Sequence, residues 1–129
     1  MDQSFGKDQK LKSKKQIEKL FKEGKSLKAF PLKLIYTPIT SREIELKTAV
    51  SVPKKLIKTA VHRNRIKRLI REVFRKNKYI VHNRLTGSYA FMFIFLNREE
   101  KDYKQLETAM LKIMKAFNEK TYENEEKSI

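Results

Sequence analysis

AVHRNRIKRLIREVFRKNKYIV, residues 60–81, is the stretch from which the rest of the chain can be read. It contains no Gly or Pro, and Ile66, Leu69, Ile70, Val73 and Phe74 recur at i, i+3, i+4, i+7 and i+8. That spacing predicts an amphipathic helix with one packed face. At roughly 100° per residue, Asn64, Arg68, Arg71 and Arg75 fall in one line on the opposite side, flanked by Arg65 and Lys67. A solvated basic face is the ordinary explanation of such a line. Two features argue for more. Glu72 is the only acidic residue between Leu46 and Arg98, so the line has few internal partners. Arg also outnumbers Lys here, and guanidinium suits bidentate phosphate contact better than ammonium does. The face is suited to a polyanion.

Working outward, the charge distribution agrees. The chain has 129 residues and a formal charge of +16. Residues 1–45 sum to +5, residues 46–98 to +13 and residues 99–129 to −2. An excess gathered in the middle is an electrostatic footprint, not evenly spread solubilising charge. There is no Cys, which excludes a disulfide framework and a thiolate metal site. No apolar run has transmembrane length, and MDQSFGKDQKLKSKK lacks the apolar core of a signal peptide. A soluble, cytoplasmic, single-domain protein is expected.

Residues 1–12 read as a flexible basic arm. Ser13 and Gln16 have capping-box spacing for a first helix with Ile17, Leu20 and Phe21 on one side, ended by Gly24. From Ser26 the period becomes two, with Phe30, Leu32, Leu34 and Tyr36 alternating around Pro31. After a turn at 40–43, Ile44, Leu46, Thr48, Val50 and Val52 line one side of a further strand, whose other side carries the small Ala49 and Ser51. Pro53 ends it, and Lys54, Lys55 and Lys58 form a basic connection into the central helix. Residues 89–96 are apolar throughout, which fits a central strand covered on both faces. A base-stacking platform of Tyr89, Phe91, Phe93 and Phe95 is the competing view. Asp102 and Gln105 form a second capping box, opening a helix packed through Tyr103, Leu106, Met110, Ile113 and Phe117. Residues 119–129 read as an acidic, fraying tail. The order is helix, two or three strands, basic helix, buried strand, helix: an α+β sandwich on one mixed sheet.

The run His62-Arg63-Asn64-Arg65-Ile66-Lys67-Arg68-Leu69-Ile70-Arg71 resembles the signature helix of the bacterial ribonuclease P protein subunit. The likeness extends to Ala49-Val50-Ser51-Val52-Pro53-Lys54-Lys55, to Leu20-Phe21-Lys22-Glu23-Gly24 and to Tyr36-Thr37, covering roughly residues 11–118. It implies an αβββαβα fold like the second domain of ribosomal protein S5, with a left-handed βαβ crossover, over residues 13–118. It implies a surface for the catalytic RNA made of Arg63, Asn64, Arg65, Lys67, Arg68, Arg71 and Arg75. It also implies a cleft for the 5′ leader of precursor tRNA lined by Ile17, Phe21, Tyr36, Ser51, Lys54 and Lys55. Aromatic faces with a basic rim suit single-stranded RNA, since every base has a π-face and every linkage a charge. Ile17 stands where the family commonly has a second aromatic. The 56–59 connection lacks the family's frequent Gly and is one residue longer.

The resemblance assigns the chemistry to the RNA subunit, with Mg²⁺ held by RNA and substrate, one protein per RNA, and no DNA or membrane partner. The residues agree that the chain has no catalytic or metal centre of its own. His62 and His82 have no acid beside them, and Glu99, Glu100 and Asp102 read as loop and capping residues. Three rivals share parts of this pattern. A general RNA chaperone would use the same charge. A DNA regulator would need a helix-turn-helix that the flanking strands do not make. A membrane-surface helix would want interfacial Trp, which the chain lacks.

Overall fold

The computed structural model describes the backbone of residues 14–127 and the side chains of residues 14–121. The arm at 1–12 and the Ser13 half of the first capping box lie outside the described residues. Eight elements follow in order: α1 (Lys14–Glu23), β1 (Lys25–Ala29), β2 (Leu32–Ile39), β3 (Leu46–Ser51), α2 (Ala60–Asn77), the single turn α3 (Tyr79–His82), β4 (Ser88–Phe95) and α4 (Tyr103–Lys127). The sheet runs β1-β2-β4-β3, with β2 antiparallel to β1 and β4, and β3 parallel to β4. It is mixed, as the sequence order requires of a β3–α2–β4 crossover.

Strand alternation then sorts the core. On one face Leu32, Leu34 and Tyr36 of β2 and Phe91, Phe93 and Phe95 of β4 meet Ile66, Ile70, Val73 and Phe74 of α2, with Leu106, Met110, Ile113 and Phe117 of α4. Rings pack edge-on there, Phe91 and Phe117 at 4.8 Å between centroids. The aromatics of β4 are therefore core residues, not a stacking platform. Burying each large side chain of the α2 stripe contributes about 1.5–3 kcal/mol. On the other face α1 lies over β2 and β4, with Leu20 seated on Ile35, Ala90 and Met92.

Four boundaries differ from the sequence reading. The hairpin closes on Phe30 and Pro31, so Lys25–Ala29 is a strand of its own. The edge strand begins at Leu46, leaving Ile44 exposed; Ser88 is buried instead, donating to the Glu43 carbonyl at 3.0 Å and accepting from the Glu45 amide at 2.8 Å. The central helix stops at Asn77, whose side-chain amide donates to the Val73 carbonyl (2.9 Å) and to Glu107 of α4 (3.0 Å). That competes with the helical ladder, which restarts as α3. Finally, α4 continues past Glu119 to Lys127, because a run rich in Glu and Lys retains good helix propensity. The Asp102–Gln105 capping box forms reciprocally, at 2.8 and 3.1 Å.

Gly24 ends α1 for a steric reason. Its φ is not positive, but a Cβ there would lie 2.2 Å from the Leu20 carbonyl oxygen and 2.6 Å from Ile35 Cγ2. Gly→Ala commonly stabilises by up to about 1 kcal/mol through the unfolded chain. Here overpacking against backbone wins. Gly24→Ala is expected to lose about 1–3 kcal/mol in denaturant unfolding, and unchanged stability would contradict this close approach.

Candidate nucleic-acid interface

With its stripe buried, α2 turns Asn64, Arg65, Arg68 and Arg71 to solvent, and Lys67 sits half-buried at the flank. Neither Arg68 nor Arg71 meets a carboxylate among the described residues. Arg65 lies 3.4 Å from Glu100, with more than half its side chain exposed. An exposed pair of that kind is worth no more than about 1 kcal/mol, so a phosphate can displace the carboxylate.

The two ends of the arginine line behave differently from its middle. Arg75 is only 21% exposed and donates to Glu72 through Nε (3.0 Å) and a terminal nitrogen, with Lys76 3.9 Å from the same carboxylate. Those hydrogen bonds hold the Glu72 carboxyl below its ordinary range. Arg75 is thus tied down by its own chain and does not extend the outer row. Arg63 donates to the carbonyls of Ile57 (2.9 Å) and Lys58 (2.8 Å). It braces the connection into α2, aided by amide bonds from Leu56 and Ile57 to the Pro53 carbonyl and by burial of Ile57. So the longer connection without Gly is held by a guanidinium and an apolar plug. The outward row reduces to Asn64, Arg65, Lys67, Arg68 and Arg71.

The first turn of α2 adds to that row. It has no acidic residue, and Thr59 offers no side-chain cap to the helix amides, its hydroxyl being paired with His62 Nδ1. Helix amides left in this way favour an anion. Sequence reading of the cap position passed over this, although a Thr followed by no acid in the first turn was a visible signal.

The second candidate surface is the strip beside α1. Since α1 covers β2 and β4, the outer face of β3 keeps Ala49 and Ser51 partly open, next to Ile94 of β4. Phe21 stands 56% exposed on α1, Ile17 is half-buried against the small core, and Lys54 and Lys55 are exposed just after β3. The set supplies an exposed aromatic on α1, small half-buried residues on β3 and two exposed lysines after it.

Tyr36 does not belong to this strip. It is 5% exposed on the opposite face, edge-on to Phe117 with centroids 5.0 Å apart, and burial with the neighbouring Tyr89 raises its hydroxyl pKa. The reason is parity. Tyr36 shares its side of β2 with Leu32 and Leu34, while Ile35 faces α1. The alternation was legible in the sequence and excludes Tyr36 from the cleft.

Among the described residues no three His, Cys, Asp or Glu side chains gather where they could hold a metal ion, and no helix is long and apolar enough to cross a membrane.

This geometry has known counterparts. The family model for ribonuclease P matches residues 5–118. The chain is 33% identical over 115 residues to the ribonuclease P protein component of Porphyromonas gingivalis strain W83, covering 84% of both. In fold it is similar to the RNase P protein of Staphylococcus aureus (TM-score 0.69, 22% identity, 84% of this chain and 94% of that one). The RNase P protein from Thermotoga maritima gives a TM-score of 0.68 at 23% identity, covering 83% and 96%. From the helix signature, the mixed sheet and a match running through nearly all the described residues, the chain belongs to the ribonuclease P protein family.

Proposed function

We propose that this chain, as the protein subunit of ribonuclease P, docks the catalytic RNA on the outward row of α2 and holds the 5′ leader of precursor tRNA in the strip between α1 and β3. The endonucleolytic step that removes the leader is then carried out by the RNA, with Mg²⁺ held by RNA and substrate. The observation that carries the reading is the exposed pair Arg68 and Arg71 on α2, which meets no carboxylate among the described residues. A fixed cationic rail lowers repulsion between RNA segments without any protein nucleophile. Holding the leader places the scissile linkage and raises the effective concentration of substrate at the RNA's reactive centre.

Two substitutions separate the surfaces. Arg68→Ala is expected to weaken assembly with the catalytic RNA, and the deficit shrinks as monovalent salt rises. If ~5 phosphates are neutralised, affinity of the unaltered protein falls roughly 10²-fold from 50 to 200 mM salt. A flat salt response in a binding titration would contradict electrostatic docking.

Phe21→Ala is expected to spare catalytic-RNA binding and to weaken leader-bearing substrates by about 1–3 kcal/mol, with leaderless tRNA unaffected. Equal losses on both substrates would remove Phe21 from the leader surface. Tyr36→Ala acts elsewhere: it should lower folding stability by about 3–5 kcal/mol with no discrimination between leader-bearing and leaderless RNA.

A further inference from the structure

The register of the β1–β2 hairpin sets Lys28 directly across from Lys33. Opposed side chains on antiparallel strands lie about 5 Å apart, and like charges there are destabilising. No carboxylate is paired with either lysine among the described residues. Lysine on an edge strand is commonly explained as protection against sheet-to-sheet pairing. That covers Lys28 on β1. It does not cover Lys33, which is on β2, between β1 and β4, and points to the face that carries α1.

Along the same rank of the sheet, Lys33 pairs with Ile94 and Ile94 with Ser51. All four side chains keep solvent exposure. The rank crosses three strand spacings, roughly 14 Å, and at β3 it meets the strip bounded by Lys54 and Lys55. At its other end is the hairpin turn, where Phe30 is 61% exposed. An open aromatic next to two unneutralised lysines, continuous with a basic-rimmed apolar strip, has the make-up of a single-strand track.

We propose that the hairpin tip is an outer station for the upstream part of the leader, with Lys28 and Lys33 holding phosphates and Phe30 stacking on a base. This rests on the leader-strip reading and lengthens it across the whole sheet. The cost of opposing two lysines in the free protein is then offset when RNA arrives.

The test uses holoenzyme reconstituted with its own catalytic RNA, and precursor tRNAs whose leaders increase stepwise in length. With unaltered protein, substrate affinity climbs with leader length to a plateau. Phe30→Ala should lower that plateau roughly 5- to 10-fold and leave the shortest leaders unaffected. The double variant Lys28→Thr with Lys33→Thr should lower it as well and reduce the salt slope by about 1.4, the share of two phosphates on a single strand. Its free protein should melt at the same temperature or higher, which a merely structural role for the lysines would not give.

Phe21→Ala serves as reference, since it should weaken short and long leaders alike. If the hairpin variants follow the unaltered length profile while Phe21→Ala does not, the outer station is refuted and the strip reading stands. If Phe21→Ala also has no effect, the strip reading itself falls. If the hairpin variants weaken leaderless tRNA or catalytic-RNA binding equally, the tip faces another part of the complex and the proposal is overturned.

Discussion

The structure depends on burial of one stripe of α2. Ile66, Ile70, Val73 and Phe74 are removed from water between the sheet and α4, and the helix has no freedom to rotate once they are seated. Everything on its reverse side is thereby fixed in direction. Residues 46–98 carry a +13 excess that cannot be neutralised from within, so the orientation forced by apolar burial is also the orientation that presents charge to a polyanion. Packing energy, on the order of several kcal/mol from that stripe, outweighs the repulsion among exposed cations that ions in solution already screen.

A second consequence is that the basic features gather at one end of the sheet. β3 and β4 end there, the hairpin turns there, and α2 starts there after the braced connection. Leu96 donates to the Pro31 carbonyl at 2.7 Å, tying the strand exit to the hairpin, and the loop that follows reaches Arg65 through Glu100. The start of α2 is thus linked, through this loop, to the end of the sheet where β3 and the hairpin meet solvent.

Much of this was legible in the sequence because strong periodicity is a local property. The α2 stripe, the doubly covered β4 and the capped α4 each follow from spacing alone. The hairpin was harder, since Phe30-Pro31 is not one of the Gly- or Asn-containing pairs that announce a two-residue turn. Residues 119–127 looked like tail because acidic composition masked helix propensity. The site was legible in its type but not in its membership. Arg75 depends on a Glu three residues away, and Arg63 on two carbonyls of a connection whose path no local pattern gives. Tyr36 is different, because strand parity by itself places it with Leu32 and Leu34 in the core, against what the family likeness implies.

The central claim is that α2, and not another basic surface, meets the catalytic RNA. Because the chain has no native Cys, a photo-crosslinker can be attached at a single engineered thiol. Asn64→Cys lies in the exposed row of α2, and Leu111→Cys lies on the exposed side of α4. Crosslinking of the reconstituted holoenzyme should join catalytic RNA to the α2 position in high yield and leave the α4 position nearly unreacted. Strong crosslinks from Leu111→Cys with none from Asn64→Cys would contradict it.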